Sequence, residues 1–235
     1  MSAPALALSF FDRAHDIHGT ARSGATILFE NRRPVPLPEG PSIERSGEGW
    51  RAELPGRLSL ELEPVSPMAD LGDERACVVR VRGEAAGRRV DCLGTLSETD
   101  VAPSWEELDA LRSISALVDE RHAVLVLARR PRGAVGHGDE AVTASLLEDD
   151  ALLPVENARI STVYDGGGRQ RSAGLELWVP GEDYPRRGSG LLIAGSSLEL
   201  DGLHVHAAVF RWRLDGREGI GAYELMVRRE PPAAA

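Results

Sequence analysis

Two Asp-Gly dipeptides near the C-terminus constrain the fold of this chain more than any other feature of its sequence. Asp201-Gly202 and Asp215-Gly216 each separate two segments in which apolar and polar residues alternate. In that position Asp-Gly is typical of a two-residue type I′ hairpin turn, which fixes the register of both strands. The sequence therefore predicts three antiparallel strands with these facing pairs: Trp212 and Gly219, Phe210 and Gly221, Ala208 and Tyr223, Arg213 and Glu218, Glu199 and His204, Ser197 and His206, Ile193 and Phe210.

This register places a polar cluster on a largely apolar strand face. The cluster consists of Ser197, Glu199, His204 and His206. The apolar members of the face are Leu191, Ile193, Phe210, Trp212 and Tyr223. A carboxylate beside an imidazole in an apolar cavity is a tuned acid/base pair, which makes Glu199 and His204 the candidate catalytic residues. The candidate ligand-binding residues on the same face are Ser197, His206, Phe210, Trp212 and Tyr223. Alternatively, the polar groups only hydrogen-bond to one another at the mouth of a barrel.

Other chemistries fit this cluster less well. Ser197 lies on a predicted strand without the G-x-S-x-G elbow of serine hydrolases. Two alternate histidines and a carboxylate suit zinc or iron, but such pairs recur on strands by chance. We therefore expect no metal and no cofactor.

A second concentration of titratable side chains lies near the N-terminus, in the run from Asp12 to His18. If the first and last strands are neighbours, as closure of a barrel often requires, His15 and His18 face the C-terminal histidines. We therefore add His15 and His18 to the candidate ligand-binding residues. The alternative is a solvated segment leading into the first strand.

Charge and composition exclude several classes of protein. The net charge of −10 argues against binding nucleic acid or anionic lipid, which require basic surfaces. All basic residues are arginine, so mechanisms that need a lysine amine are excluded, including Schiff bases and P-loop nucleotide hydrolysis. No apolar run approaches the roughly 20 residues of a membrane span. The first eight residues lack the basic region of a signal peptide, and we expect a cytoplasmic protein.

Cys77 and Cys92 flank a predicted hairpin turn at 83–87 and are expected on one strand face, about one pair apart. A cross-strand disulfide is one outcome. Because no export signal is apparent, two buried free thiols are the favoured one. Neither cysteine has a CxxC partner, which excludes a cysteine zinc site.

Period-two segments recur along the whole chain and predict an antiparallel barrel or sandwich. They are 19–30, 42–47, 57–65, 76–82, 88–97, 121–130, 140–148, 158–165, 169–180, 190–200, 203–214 and 217–228. One helix is predicted between them, because Ser104 and Glu107 form a capping box and an apolar stripe of helical period follows over 108–118. This helix, 101–120, either joins two β halves, 1–100 and 121–230, or covers an edge of one continuous sheet. The tail 231–235 is expected to be disordered.

Two motifs carry a resemblance to a known family. They are R-W-R-x-D-G-R-E-G-I-G-A-Y-E-L at 211–225 and H-G-T-A-R-x-G at 18–24. Together with a helix between β halves, they resemble the lipocalin-like superfamily of carotenoid 1,2-hydratases and tocopherol cyclases. The resemblance implies two barrel-like halves and a large apolar isoprenoid or polyketide substrate, and it transfers no catalytic residue.

Three functions are compatible with these patterns. The first is an enzyme that isomerises, hydrates or cyclises a small lipophilic ligand, with Glu199 and His204 handling the proton. The second is a non-catalytic lipocalin-like carrier with the same cavity, and the third is a β-rich interaction protein whose core is filled by its own side chains. The predicted partner is a small lipophilic molecule, and the sequence leaves the oligomeric state open.

Overall fold

The fold is described from a computed structural model, which covers residues 4–135 and 137–228. The predicted disorder of 231–235 lies outside this range. The described chain is all-β and forms two curled antiparallel sheets. Two separate sheets correspond to the first of the two alternatives that the sequence leaves open, rather than to one continuous sheet. Within the described residues no helix is long and apolar enough to cross a membrane.

The first sheet contains ten strands, of which nine form a continuous path in the order β4-β3-β2-β1-β10-β9-β7-β6-β5, with β8 paired to β9. Its strands are β1 (Ala5–Asp12), β2 (Ile17–Arg22), β3 (Ala25–Glu30), β4 (Arg33–Leu37), β5 (Ser42–Ser46), β6 (Gly49–Leu54), β7 (Leu58–Pro64), β8 (Ala69–Asp70), β9 (Glu74–Ala85) and β10 (Arg88–Thr99). The predicted strand 19–30 is in fact two strands, because Ser23 and Gly24 form a two-residue turn between Arg22 and Ala25.

The second sheet has nine strands in the order β14-β13-β12-β11-β19-β18-β17-β16-β15. They are β11 (Leu108–Leu117), β12 (His122–Pro131), β13 (Ala141–Glu148), β14 (Ala151–Pro154), β15 (Asn157–Tyr164), β16 (Gln170–Trp178), β17 (Arg186–Leu200), β18 (Leu203–Leu214) and β19 (Arg217–Arg228). A single 3-10 turn, His137–Asp139, precedes β13.

The predicted linking helix at 101–120 is wrong. Ser104 does begin a turn, in which the Glu107 amide donates to the Ser104 carbonyl, but the chain then continues as β11 between β12 and β19. Both faces of β11 are buried: Ile114 packs inside the second sheet and Leu111 packs toward the first. A strand that is buried on both faces has no alternation of apolar and polar residues, and its leucines therefore mimicked a helical stripe.

Apolar side chains fill three layers. One lies inside each curled sheet and a third lies between the sheets, where Phe11 and Phe29 of the first meet Val209 and Ile220 of the second. In β18 and β19 the buried residues alternate between the two layers: Phe210, Trp212 and Tyr223 pack inside the second sheet, whereas Val209 and Ile220 pack between the sheets. The sheets thus pack back to back, and their central strands are covered on both faces.

The two cysteines are free, and Cys77 is buried. Both contribute to the interior of the first sheet, as predicted. They are further apart than predicted, because Cys77 faces Leu96 whereas Cys92 faces Val81. The turn between the strands is Ala86-Gly87, with φ of 52° and 72°. Burial raises the pKa of each thiol to about 12.

Candidate functional site

The C-terminal hairpins have the predicted turns and nearly the predicted register. Asp201 and Gly202 have φ of 51° and 81°, and Asp215 and Gly216 have φ of 45° and 85°, as a type I′ turn requires. Every predicted pair from the second turn is observed, as are the two polar pairs from the first. The exception is Ile193, because a bulge between Leu192 and Ala194 places Leu192 opposite Phe210. Leu191 consequently faces outward and is 54% exposed.

The four polar residues of the predicted cluster are close together and form two pairs. His204 Nδ1 lies 2.6 Å from Glu199 Oε1, and Ser197 Oγ lies 2.6 Å from His206 Nδ1. The two imidazoles stack at 6.3 Å with an angle of 5°. Because Glu199 contacts the histidine that Ser197 does not, these contacts do not form a Ser-His-acid relay.

The setting of the cluster is more polar than the sequence predicts. The side chains of His204 and Glu199 are 41% and 50% exposed, so neither lies in a buried apolar cavity. His206 is more covered, and burial, reinforced by His204, lowers its pKa. His206 is therefore mostly neutral at neutral pH and can donate or accept a hydrogen bond. The catalytic role of Glu199 and His204 stays a prediction.

A cavity of about 200 Å³ lies at the bulge, and its lining includes Ser196 and Ala207, the chain neighbours of Ser197 and His206. We call it the bulge cavity. It is lined by Asp165, Arg169, Gln170, Leu192, Gly195, Ser196, Ala207 and Ala208. The strand β16 stops pairing with β17 at Leu191, and the unpaired part of β17 then passes under the turn 165–169.

Polar contacts hold the wall of the bulge cavity in place. Gln170 is buried, and its Nε2 donates to the carbonyls of His206 at 3.2 Å and Tyr223 at 3.4 Å. The Asp165 carboxylate accepts from the amides of Gly167 and Arg169 and so fixes the covering turn. Leu192 is 40% exposed, which leaves an apolar side chain at the opening.

The predicted aromatic wall is part of the core. Phe210, Trp212 and Tyr223 are fully buried, and the Phe210 ring lies 5.6 Å from Trp212 and 5.5 Å from Tyr223. The Trp212 ring lies over Gly190, where an added Cβ would be 2.8 Å from it, rather than over Gly219. None of the three aromatic residues lines the bulge cavity, so their role as ligand contacts stays a prediction.

The N-terminal histidines are not brought to this site. β1 pairs with β2 and β10 of the first sheet, and the last strand, β19, belongs to the second sheet, so the two are not paired neighbours. His15 pairs with Asp12, and the buried His18 lies 3.3 Å from Asp16. Burial lowers the pKa of His18. Arg22 of β2 forms an ion pair with Glu224 of β19.

The sequence analysis missed a buried charged cluster inside the second sheet. Arg112, 1% exposed, donates from Nη1 to Thr162 Oγ1 at 3.2 Å and to Tyr223 Oη at 3.1 Å, and its Nη2 pairs with Glu140. Arg130 contacts the same carboxylate at 2.9 Å. We call these residues the Arg112 cluster. In the sequence, the feature that could have indicated this cluster is Arg112 itself, because it is the only charged residue in the buried stretch from Ala110 to Leu117.

An open groove of about 1160 Å³ runs along β15, β16 and β17 and reaches Glu140 of the Arg112 cluster. Charged residues, including Arg159, Glu176 and Arg187, line much of it. It contains no residue of the predicted histidine cluster. A groove of this polarity does not suit a ligand that has no polar group.

A second missed group lies between the sheets. Glu74 is partly buried near Arg22 and Glu224, beside a cavity of about 50 Å³ walled by hydroxyl side chains such as Ser113 and Ser115. Burial raises the pKa of Glu74 to about 7, and Glu224 adds to this effect while Arg22 opposes it.

No arrangement of three or more His, Cys, Asp or Glu side chains in residues 4–135 and 137–228 could hold a metal ion. This finding leaves the expected absence of a cofactor untested.

Comparison with known proteins supports the fold and not an activity. No family model matches the chain, and no curated protein matches it. A protein of Nitrosomonas europaea provisionally named AttH has a similar structure, with a TM-score of 0.65 and 11% identity over 96% of this chain and 93% of that one. A protein of unknown function from the DUF3598 family of Nostoc punctiforme covers 98% of this chain and 96% of its own at 10% identity, but with a TM-score of 0.17.

The AttH match extends over nearly the whole of both chains and agrees with the two curled sheets. At 11% identity it shows the fold alone. The chain therefore has an all-β fold of two curled sheets, consistent with a lipocalin-like barrel, and the resemblance to carotenoid hydratases and tocopherol cyclases has no support beyond that fold.

Proposed function

We propose that the protein binds a small, mainly apolar molecule in the bulge cavity. The observation that carries the proposal is the bulge at Leu192–Ala194, which opens a cavity of about 200 Å³ beside the Ser197–His206 pair. Leu192, Ala207 and Ala208 supply apolar wall, from which most of the affinity for such a ligand comes. Bulges frequently lie next to binding sites, because they redirect side chains and end strand pairing.

The volume narrows the class of ligand. Pockets for drug-sized ligands usually enclose about 300–1,000 Å³. A cavity of about 200 Å³ therefore favours a ligand smaller than the isoprenoids and polyketides that the family resemblance implies. Gln170 and Ser196, which line the cavity, offer polar groups that would orient a single hydroxyl or carbonyl of the ligand.

Binding without catalysis is the favoured form of this function. Glu199 and His204 are about half exposed, and water at the pair weakens the tuning that acid/base catalysis requires. The alternative is an enzyme in which these two residues transfer a proton at the rim of the bulge cavity. A cytoplasmic location remains part of the proposal.

The experiment is a fluorescence titration with N-phenyl-1-naphthylamine, a neutral apolar probe, against wild type and Gly195→Leu. A Cβ at Gly195 makes only ordinary contacts, 3.4 Å from Leu192 and 3.7 Å from Ala208, so the leucine side chain extends into the cavity without a backbone clash. Gly166→Leu is the matched control, because a Cβ at Gly166 has nothing within 4 Å.

We expect saturable binding by wild type and Gly166→Leu and at least a tenfold loss in Gly195→Leu. His204→Ala should still bind the probe, because the apolar wall is unchanged. Equal binding by Gly195→Leu and wild type would place the probe elsewhere and refute the proposal. If wild type binds no probe, the reading that survives is an interaction protein with a filled core.

A further inference from the structure

The Arg112 cluster has the form of a carboxylate site, and it shares no residue with the bulge cavity. Two guanidinium groups converge on one carboxylate: Arg112 through Nη2, and Arg130 through Nε at 3.0 Å and Nη2 at 2.9 Å. Arginine is the side chain best suited to this planar recognition, since it presents several N–H donors in a fixed arrangement. Thr162 and Tyr223, whose oxygens lie 2.7 Å apart, hold the other side of the Arg112 guanidinium.

Stability alone is a weak explanation for these charges. Arg112 is 1% exposed among apolar residues such as Ile114 and Leu225, and Glu140 has a side chain that is 0% exposed. Replacing a buried ion pair by apolar residues of similar size is often neutral or stabilising. A buried charge inside an apolar core therefore calls for a role other than stability.

Glu140 does not satisfy Arg112 completely. Among the described residues, Arg112 Nε is buried and has no hydrogen-bond acceptor. A buried N–H without a partner is costly, and a carboxylate placed side-on to the guanidinium would accept from Nε as well as from a terminal nitrogen. The site thus retains a donor that its present occupant does not use.

Glu140 also stands where a ligand would enter. It follows the 3-10 turn His137–Asp139 and precedes the first residue of β13, so it belongs to the connection and not to the sheet. Glu140 is one of the residues that line the open groove along β15 and β16, and its carboxylate contacts Arg112. Glu140 is therefore the residue that links the groove to the buried guanidinium.

We propose that the Arg112 cluster binds the carboxylate of a small organic monocarboxylic acid, and that Glu140 occupies the site in its absence. The ligand carboxylate enters from the groove, displaces Glu140 and accepts hydrogen bonds from Arg112 and Arg130. Tyr223 remains a neutral hydroxyl there, because burial raises its pKa to about 12.

The test is chemical rescue of Glu140→Ala, which removes the internal carboxylate and leaves both arginines. We expect sodium octanoate to raise the Tm of this variant by several degrees in a saturable way, at an ionic strength held constant with sodium chloride. Octanamide, which has the same chain without the charge, should have no such effect. Acetate shows whether the carboxylate alone suffices or the chain adds affinity, and wild type should need at least tenfold more octanoate, because Glu140 competes.

The double variant Glu140→Ala/Arg112→Met is the control for the binding residue, and it should lose the response to octanoate. If Glu140→Ala does not fold alone, refolding in octanoate and the response of Glu140→Gln are measured instead. The proposal is overturned if octanoate stabilises no Glu140 variant, if octanamide acts equally, or if the double variant responds like the single one. None of these results depends on probe binding at the bulge cavity.

Discussion

Glu74 should make the stability of this protein fall as the pH rises from 4.5 to about 7. Its side chain is enclosed between the two sheets, near Arg22, Glu224 and Arg129, and it donates or accepts a hydrogen bond with Ser97 according to its protonation. Burial raises its pKa from 4.5 to about 7, because desolvation and Glu224 together outweigh the attraction of Arg22.

The magnitude follows from linkage between protonation and folding. Below pH 4.5 Glu74 is protonated in both the folded and the unfolded chain, and its contribution is complete. Between pH 4.5 and pH 7 the folded chain keeps a proton that the unfolded chain has released, so stability declines with rising pH. At about 1.4 kcal/mol per pKa unit, the decline amounts to about 3 kcal/mol once the pH exceeds 7.

The assay is urea unfolding of wild type and Glu74→Gln at several pH values from 5 to 8.5. Glutamine resembles the protonated acid, so the variant should be more stable than wild type at pH 8.5, and the difference should shrink toward pH 5. Glu44→Gln, an exposed carboxylate of the same sheet, is the control and should not change the profile. Parallel profiles for wild type and Glu74→Gln, or a variant that is less stable at pH 8.5, would refute the reasoning.

Two further predictions concern the core. Gly219→Val should lower the free energy of unfolding by about 1–3 kcal/mol, because a Cβ there would lie 2.5 Å from the Leu117 carbonyl oxygen; an unchanged midpoint in urea would contradict this packing. Cys77 and Cys92, each with a pKa raised to about 12, should resist a thiol reagent in the native protein and react fully in urea; rapid native labelling would show that the hairpin opens.

Local turn chemistry explains what the sequence predicted well. Asp-Gly favours positive φ at both positions, and each observed turn sets the facing pairs that follow from it. The predicted register failed at the bulge in β17. There the extra residue Ile193 shifts the pairing with β18 by one position from Leu192 back toward the start of the strand. A bulge of this kind depends on how the strand packs, and the sequence from Gly190 to Gly195 carries no distinct signal for it.

The misassigned helix has a tertiary cause. The stretch 108–118 has leucine and isoleucine at helical spacing, and only its burial between two layers shows why a strand carries them. The Arg112 cluster was missed for a similar reason. It joins Arg112, Glu140, Thr162 and Tyr223 from separate strands and one connection, so no local motif unites them.

Back-to-back packing also explains where the unusual chemistry of this protein is found. Because central strands such as β11 and β19 are covered on both faces, a polar side chain on them must be paired within the protein. Glu224 on one face of β19 pairs with Arg22 of the other sheet, and Tyr223 on the opposite face pairs with Arg112. At Arg112 Nε, where this pairing is incomplete, the fold retains a donor that can still bind a ligand, and at Glu74 burial raises the pKa so that the carboxyl can hold a proton.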